Sequence, residues 1–194
     1  SGDDLLNIFR SKFVLQKSKF HNSQADALDI DFSNGLISQT TFTNCGVRLT
    51  PDQIENTVLS SAQPLNGDCL DFSGSRVRLQ NLTINGAGDK GISVGEASEI
   101  HANNIAVKNV QYGVVSKDQS ILSIQNLALH NATVGLASYQ KKSEFGPGSI
   151  VAQVSEASGV IAMSLAEHGS MIEAVDNRGT SLQTKYSTYP FALN

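Results

Sequence analysis

The sequence predicts an all-β fold, a right-handed parallel β-helix, from three observations. Residues of one kind recur at intervals of 22 along much of the chain. No copy of the repeat contains an amphipathic segment long enough for a helix, and strand-like alternation is instead broken by Gly, Ser or Asn every few residues. Trp is absent and aromatic residues make up only 6% of the chain, a composition that suits short strands joined by tight turns. One unit of this size cannot bury its apolar face alone, so stacked copies must supply the core.

Asn22, Asn44 and Asn66 are evenly spaced, as are Asn109 and Asn131, and Asn85 lies between the two sets. Asn tolerates the left-handed conformation of a corner, and its amide can bond to the next coil, so these positions predict a structural ladder. A second column runs Leu5, Ala27, Leu49, Cys69, Gly91, Gly113, Gly135, and a third, apolar, runs Leu15, Ile37, Leu59, Val77, Ile100, Leu122. The copies ALDIDFSNGLISQTTFTN, CLDFSGSRVRLQNLTIN, GISVGEASEIHANNIAVKN and GVVSKDQSILSIQNLALHN stack on that frame. Residues 50–66 keep the period but carry two Pro, which predicts an irregular coil or a bulging loop. The reading is one β-helix domain over 1–194 of about seven to eight coils. The coils are regular over 1–150, and the last coils and a cap occupy 151–194. It is expected to be a piece of a larger protein.

Composition narrows the function. A formal charge of −4 argues against a nucleic-acid binder that relies on a basic field. No run of about 18 apolar residues is present, so no membrane span is expected. Cys45 and Cys69 lack metal spacing and read as two small buried thiols. His21, His101, His130 and His168 fall at different points of the repeat and predict no ligand pair.

Charged residues concentrate in one sector, and adjacent rungs lie about 4.8 Å apart, so they predict a surface stripe. It holds Asp26, Asp29 and Asp31, then Arg48 and Asp52, then Asp68 and Asp71. Asp89, Lys90 and Glu96 follow, then Lys117 and Asp118, then Lys141 and Lys142. The stripe is acidic at one end and basic at the other. One column within it, Asp4, Asp26, Arg48, Asp68, Lys90, Tyr112, alternates in sign from Asp26 to Lys90, which predicts cross-rung ion pairs. A long shallow stripe suits a linear polymer. Asp31, Glu96, Lys117, Asp118, Tyr139 and Lys141 are the candidate polysaccharide contacts, with Tyr139 and Phe145 flanking Lys141 and Lys142. Asp29, Asp68, Asp71 and Lys90 are the candidate catalytic centre if a glycosidic bond is cleaved. Asp29, Asp31, Asp68 and Asp71 are the candidate ligands if Ca²⁺ binds.

The series DALDIDFSNG, NGDCLDFSGS, GDKGISVGEAS, YGVVSKDQS and YQKKSEFGP resembles β-helix modules of secreted bacterial proteins, which often stand beside spore-coat-protein-H-type kinase domains. The resemblance implies secretion or display at the cell surface, contact with a polysaccharide and further domains in a parent protein. A looser similarity links the chain to the pectin-lyase-like superfamily. There Gly67-Asp68 with Asp71 stands near a paired Asp, and Lys90 takes the place of a catalytic His. That similarity implies a lyase, epimerase or hydrolase as the alternative to a binding module, and a structural spacer is the third reading.

Overall fold

The computed structural model describes residues 4–48, 63–64 and 66–188. The first coil carries β1 (Leu6–Phe9), β2 (Lys12–Gln16) and β3 (Lys19–His21), and the second carries β4 (Leu28–Asp31), β5 (Asn34–Ser38) and β6 (Thr41–Cys45). A short antiparallel ribbon of β7 (Val47–Arg48) and β8 (Gln63–Pro64) follows. Winding resumes with β9 (Leu70–Ser73), β10 (Arg76–Ala87), β11 (Lys90–Gly95), β12 (Glu99–Lys117) and β13 (Ile121–Tyr139). It continues through β14 (Ser149–Glu167), β15 (Met171–Asp176) and β16 (Lys185–Ser187). All pairings between coils are parallel, and the longer strands bend around two or three faces.

Three faces result. In the first, Leu6, Leu28, Leu70, Ile92, Val114 and Leu136 lie in register. In the second, Phe13, Gly35, Val77, Ile100, Leu122, Ile150 and Ile172 do so. In the third, the row is Phe20, Phe42, Ile84, Val107 and Leu129. From Leu28, Val77 and Phe42 onward these rows are buried in the core, apart from the small Gly35. Period 2 sends alternate residues inward, so each short strand contributes two or three apolar side chains to one continuous column.

Left-handed corners fall where short polar residues tolerate them. Asn22, Asn44, Asn109 and Asn131 all have positive φ. Asn44 Nδ2 donates to Asn22 Oδ1 at 3.0 Å, Asn109 to Asn85 at 2.7 Å and Asn131 to Asn109 at 3.2 Å. The expected ladder is therefore present except at Asn66, which is not part of it because β6 and β10 pair directly, and with one substitution. Gly86, at φ 87°, occupies the corner above Asn44, and a Cβ there would stand 3.1 Å from Asn44 Oδ1.

The described residues correct the expected frame. Leu28 pairs directly with Leu70, and Asp29 with Asp71, so β4 and β9 are neighbouring rungs with no rung between them. Leu49 and Leu59 lie outside the described residues. Arg48 sits in the β7–β8 ribbon and not between Asp26 and Asp68. The third apolar column shifts by two, because Leu15 and Ile37 align with Leu79, whereas Val77 aligns with Gly35 and Phe13.

Cys45 and Cys69 are also not free thiols. They form a disulfide with Cα atoms 5.0 Å apart, both fully buried, which links the end of β6 to the residue before β9. Closing a loop of this size restricts the unfolded chain by about 3 kcal/mol. Reduction is therefore expected to lower the melting temperature by several degrees, read by calorimetry with and without reductant, and an unchanged midpoint would contradict the staple.

Candidate functional site

The site is built on the outward face of the first sheet and on the turn that precedes it. Asp4, Asp26 and Asp68 stand in one column before the strands. Asp26 N–H donates to Asp4 Oδ1 (3.1 Å), Asp68 N–H to Asp26 Oδ1 (2.6 Å) and Lys90 N–H to Asp68 Oδ1 (3.0 Å). Each carboxylate thus holds the backbone of the next rung. Where sign alternation was expected, two carboxylates stack, since β4 and β9 are neighbours and Asp68 follows Asp26 directly in the column. Lys90 closes the column, with Nζ 3.4 Å from Asp68 Oδ1 and in contact with Asp89. The expected Lys90–Asp68 pair is therefore present.

The second column is Asn7, Asp29, Asp71, Ser93, Val115 and Ala137. Asn7 Nδ2 donates to Asp29 Oδ2 at 2.7 Å and reaches Asp31 Oδ2 at 3.3 Å. Lys117 lies back along the sheet, passing over Gly95. It donates to Ser93 Oγ at 2.8 Å and lies 3.8 Å from Asp71 Oδ1. A Cβ on Gly95 would meet Lys117 Cε at 2.8 Å, so the glycine makes room for this path.

The cluster has unusual protonation behaviour. Burial, reinforced by repulsion from Asp68, Asp71 and Asp4, outweighs the backbone hydrogen bond and pushes Asp26 up to about 7. Burial and the neighbouring Asp31 and Asp71 push Asp29 up to about 6. Burial pushes Asp68 up to about 6 even though Lys90 opposes it. Burial would lower Lys90, but the Asp68 and Asp89 carboxylates outweigh it and raise its pKa. Both carboxylates favour the charged ammonium of Lys90, the form that cannot accept a proton.

The candidate residues therefore divide. Asp29, Asp31 and Asp71 come together on the outward face, half-buried, and Asp68 lies beside them but is buried and bonded to Lys90. Among the described residues no three His, Cys, Asp or Glu are arranged to hold a metal ion. The basic end expected of the stripe is not present as such. Lys117 is buried, and Glu96 pairs with Lys142. Asp118 is fully buried and accepts the N–H groups of Lys141 and Lys142 at 2.7 Å each, so it fixes the loop after β13 and does not face solvent. Tyr139 is 5% exposed and packs with Val115, Val134, Ala137 and Leu165, so its ring is not a surface for a sugar. Lys141 is exposed at that end, and the Lys142 side chain is 41% exposed but paired with Glu96. Asp52 lies outside the described residues.

Sequence reasoning missed the aromatic edge of the site. Phe9 and Phe32 are 52% and 51% exposed, edge-to-face at 6.1 Å, at the corner next to Asp31. Arg10 lies 4.9 Å from the Phe9 ring centre. The signal was their spacing, Phe9 and Asp31 being cross-rung partners with Phe32 next in sequence.

Comparison with curated proteins and with solved structures finds no match. A family model described as right handed beta helix region matches residues 4–147, most of the chain. With the parallel register of its coils, that match shows that the chain belongs to the right-handed beta helix family.

Proposed function

We propose that the chain is a module that binds a polysaccharide along the acidic half of the first sheet's outer face. The observation that carries this reading is the in-register column Asn7, Asp29, Asp71 beside the exposed Phe9–Phe32 pair. Carboxylates accept and amides both donate and accept, which matches sugar hydroxyls, and an apolar ring offers a face for the C–H side of a pyranose. Lys90, Lys117 and Lys142 all have acidic or hydroxyl partners, so the ligand of this face is a neutral, hydroxyl-bearing chain. A buried disulfide supports a secreted or cell-surface setting, in which the module would stand beside other domains.

A second reading rests on the raised carboxyls. Asp29, pushed up to about 6, stands in register with Asp71, and two neighbouring carboxyls of which one is raised form the kind of pair that glycosidic cleavage uses, one group giving a proton and the other activating water. One experiment separates the readings: size-exclusion analysis of neutral and acidic polysaccharides mixed with the protein, with and without Ca²⁺. Co-elution with an intact neutral polymer is expected, weakened at least about tenfold by Asn7→Ala with Phe9→Ala. Shortened chains would establish the enzyme, a dependence on added Ca²⁺ would place the ion among Asp29, Asp31 and Asp71, and neither co-elution nor shortening would overturn both readings.

A further inference from the structure

The outer face of the second sheet differs in character from the stripe and lies apart from it. Its outward residues stack in three columns. One contains Lys12, Asn34, Arg76, Glu99 and Ile121. The next contains Val14, Leu36, Arg78, His101 and Ser123, and the last Gln16, Ser38, Gln80, Asn103 and Gln125. Two cavities open on this face, of about 220 and 500 Å³, and Arg78 and His101 line both. The smaller is completed by Gln80, Asn103, Ser123 and Gln125, and the larger by Phe13, Val14, Leu36 and Arg76 among others.

Charge is unevenly satisfied here. Glu99 is the one acid lining the cavities, and it is used twice, by Arg76 Nε at 3.4 Å and by His101 Nε2 at 3.1 Å. Arg78 is exposed and its guanidinium has no ion pair or hydrogen bond among the described residues. A free guanidinium beside a row of amides, on a protein of net charge −4, is a local site for an anion.

We propose that this face binds an anionic polysaccharide, with Arg78 holding an acidic group of the chain and Gln80, Asn103 and Gln125 meeting its hydroxyls. The amides recur at the rung spacing of about 4.8 Å, which presents repeated contacts to an extended polymer. Val14 and Leu36, in the same column as Arg78, provide an apolar floor for the C–H faces of the sugars. The cavities lack the series of aromatic platforms on which successive nucleobases stack, which favours a glycan over a single-stranded nucleic acid.

The test uses the whole 194-residue chain with fluorescent oligomers of hyaluronate, dextran sulfate and neutral dextran, and an oligothymidylate, read by anisotropy at low and physiological salt. Binding of the carboxylated or the sulfated oligomer is expected, weakening with salt, and falling at least about tenfold in Arg78→Gln. Which of the two binds identifies the acidic group. Arg78 is on the surface, so the variant folds, and a melting curve checks this. Asn7→Ala is expected to leave anionic binding unchanged while weakening neutral binding, so the two faces fail independently. Unchanged affinity in Arg78→Gln, or oligothymidylate binding as tight as either glycan, would overturn the proposal.

Discussion

Replacing Lys90 by Met is expected to destabilise the protein by about 3–5 kcal/mol at pH 8. Its ammonium is the cation that meets both Asp68 and Asp89, and Lys90 and Asp68 side chains are only 14% and 9% exposed. Met keeps the length of the side chain, so packing changes little and the lost charge dominates. Two carboxylates then remain in a region of low dielectric with Asp26 and Asp71 close by. The loss is expected to shrink toward pH 5, because Asp68, already pushed up to about 6, then takes a proton and no longer needs the ammonium. Urea denaturation of both proteins at the two pH values measures this, and equal stability at pH 8 would contradict the pairing.

Stability is also expected to fall as pH rises from about 4 to about 7, opposite to the usual behaviour of paired carboxylates. Asp26, Asp29 and Asp68 all have folded pKa values above the ordinary 3.8. In that window the folded state binds more protons than the unfolded chain, so each step up in pH favours unfolding. Below about 3.8 both states are protonated, and above about 7 both are ionised, so the curve is flat at each end. Discounting half-exposed Asp29 and counting shared repulsion once, the fall is on the order of 4 kcal/mol. Glu99 and Asp176 are held low and act in the opposite sense, but both are in water and contribute little. Asp26→Asn retains an acceptor for the Asp68 N–H and removes one charge, so it is expected to be more stable than the parent at pH 8 and to show a shallower dependence. Rising stability between pH 4 and 7 would contradict the stacked carboxylates.

The fold was legible because a coil repeats its physics. The Asn corners, the inward apolar positions and the Gly column after Cys69 each report the same period. What misled was counting residues 50–66, read as an irregular coil or a bulging loop, into the column spacing because they keep the period. A better ruler was present in a column of serines. Ser11, Ser33, Ser75 and Ser98 each donate a backbone N–H to the hydroxyl of the next rung's serine, ending at Ser120, at distances of 2.9–3.1 Å. The step from Ser33 to Ser75 is 42 residues and still spans a single rung.

The site was legible in part. Asp29, Asp31 and Asp71 were found from charge concentration, and Lys90–Asp68 from adjacency in a column. Burial was invisible to that reasoning. Lys117, Asp118 and Tyr139 share the outward register of the stripe, but Lys117 folds back to Ser93, Asp118 turns to loop amides and Tyr139 joins a second apolar cluster. Asn7, Phe9 and Phe32 escaped notice because the spacing of single rings and amides gains meaning only when register puts them beside Asp29 and Asp31.

The most direct test of the central claim is a chemical-shift footprint of the labelled protein titrated with the neutral polysaccharide that co-elutes with it, or with its oligomers. The account predicts saturable shifts confined to Asn7, Phe9, Asp29, Asp31, Phe32 and Asp71 and their backbone neighbours. Shifts centred on any other face, or none at saturating ligand, would contradict it.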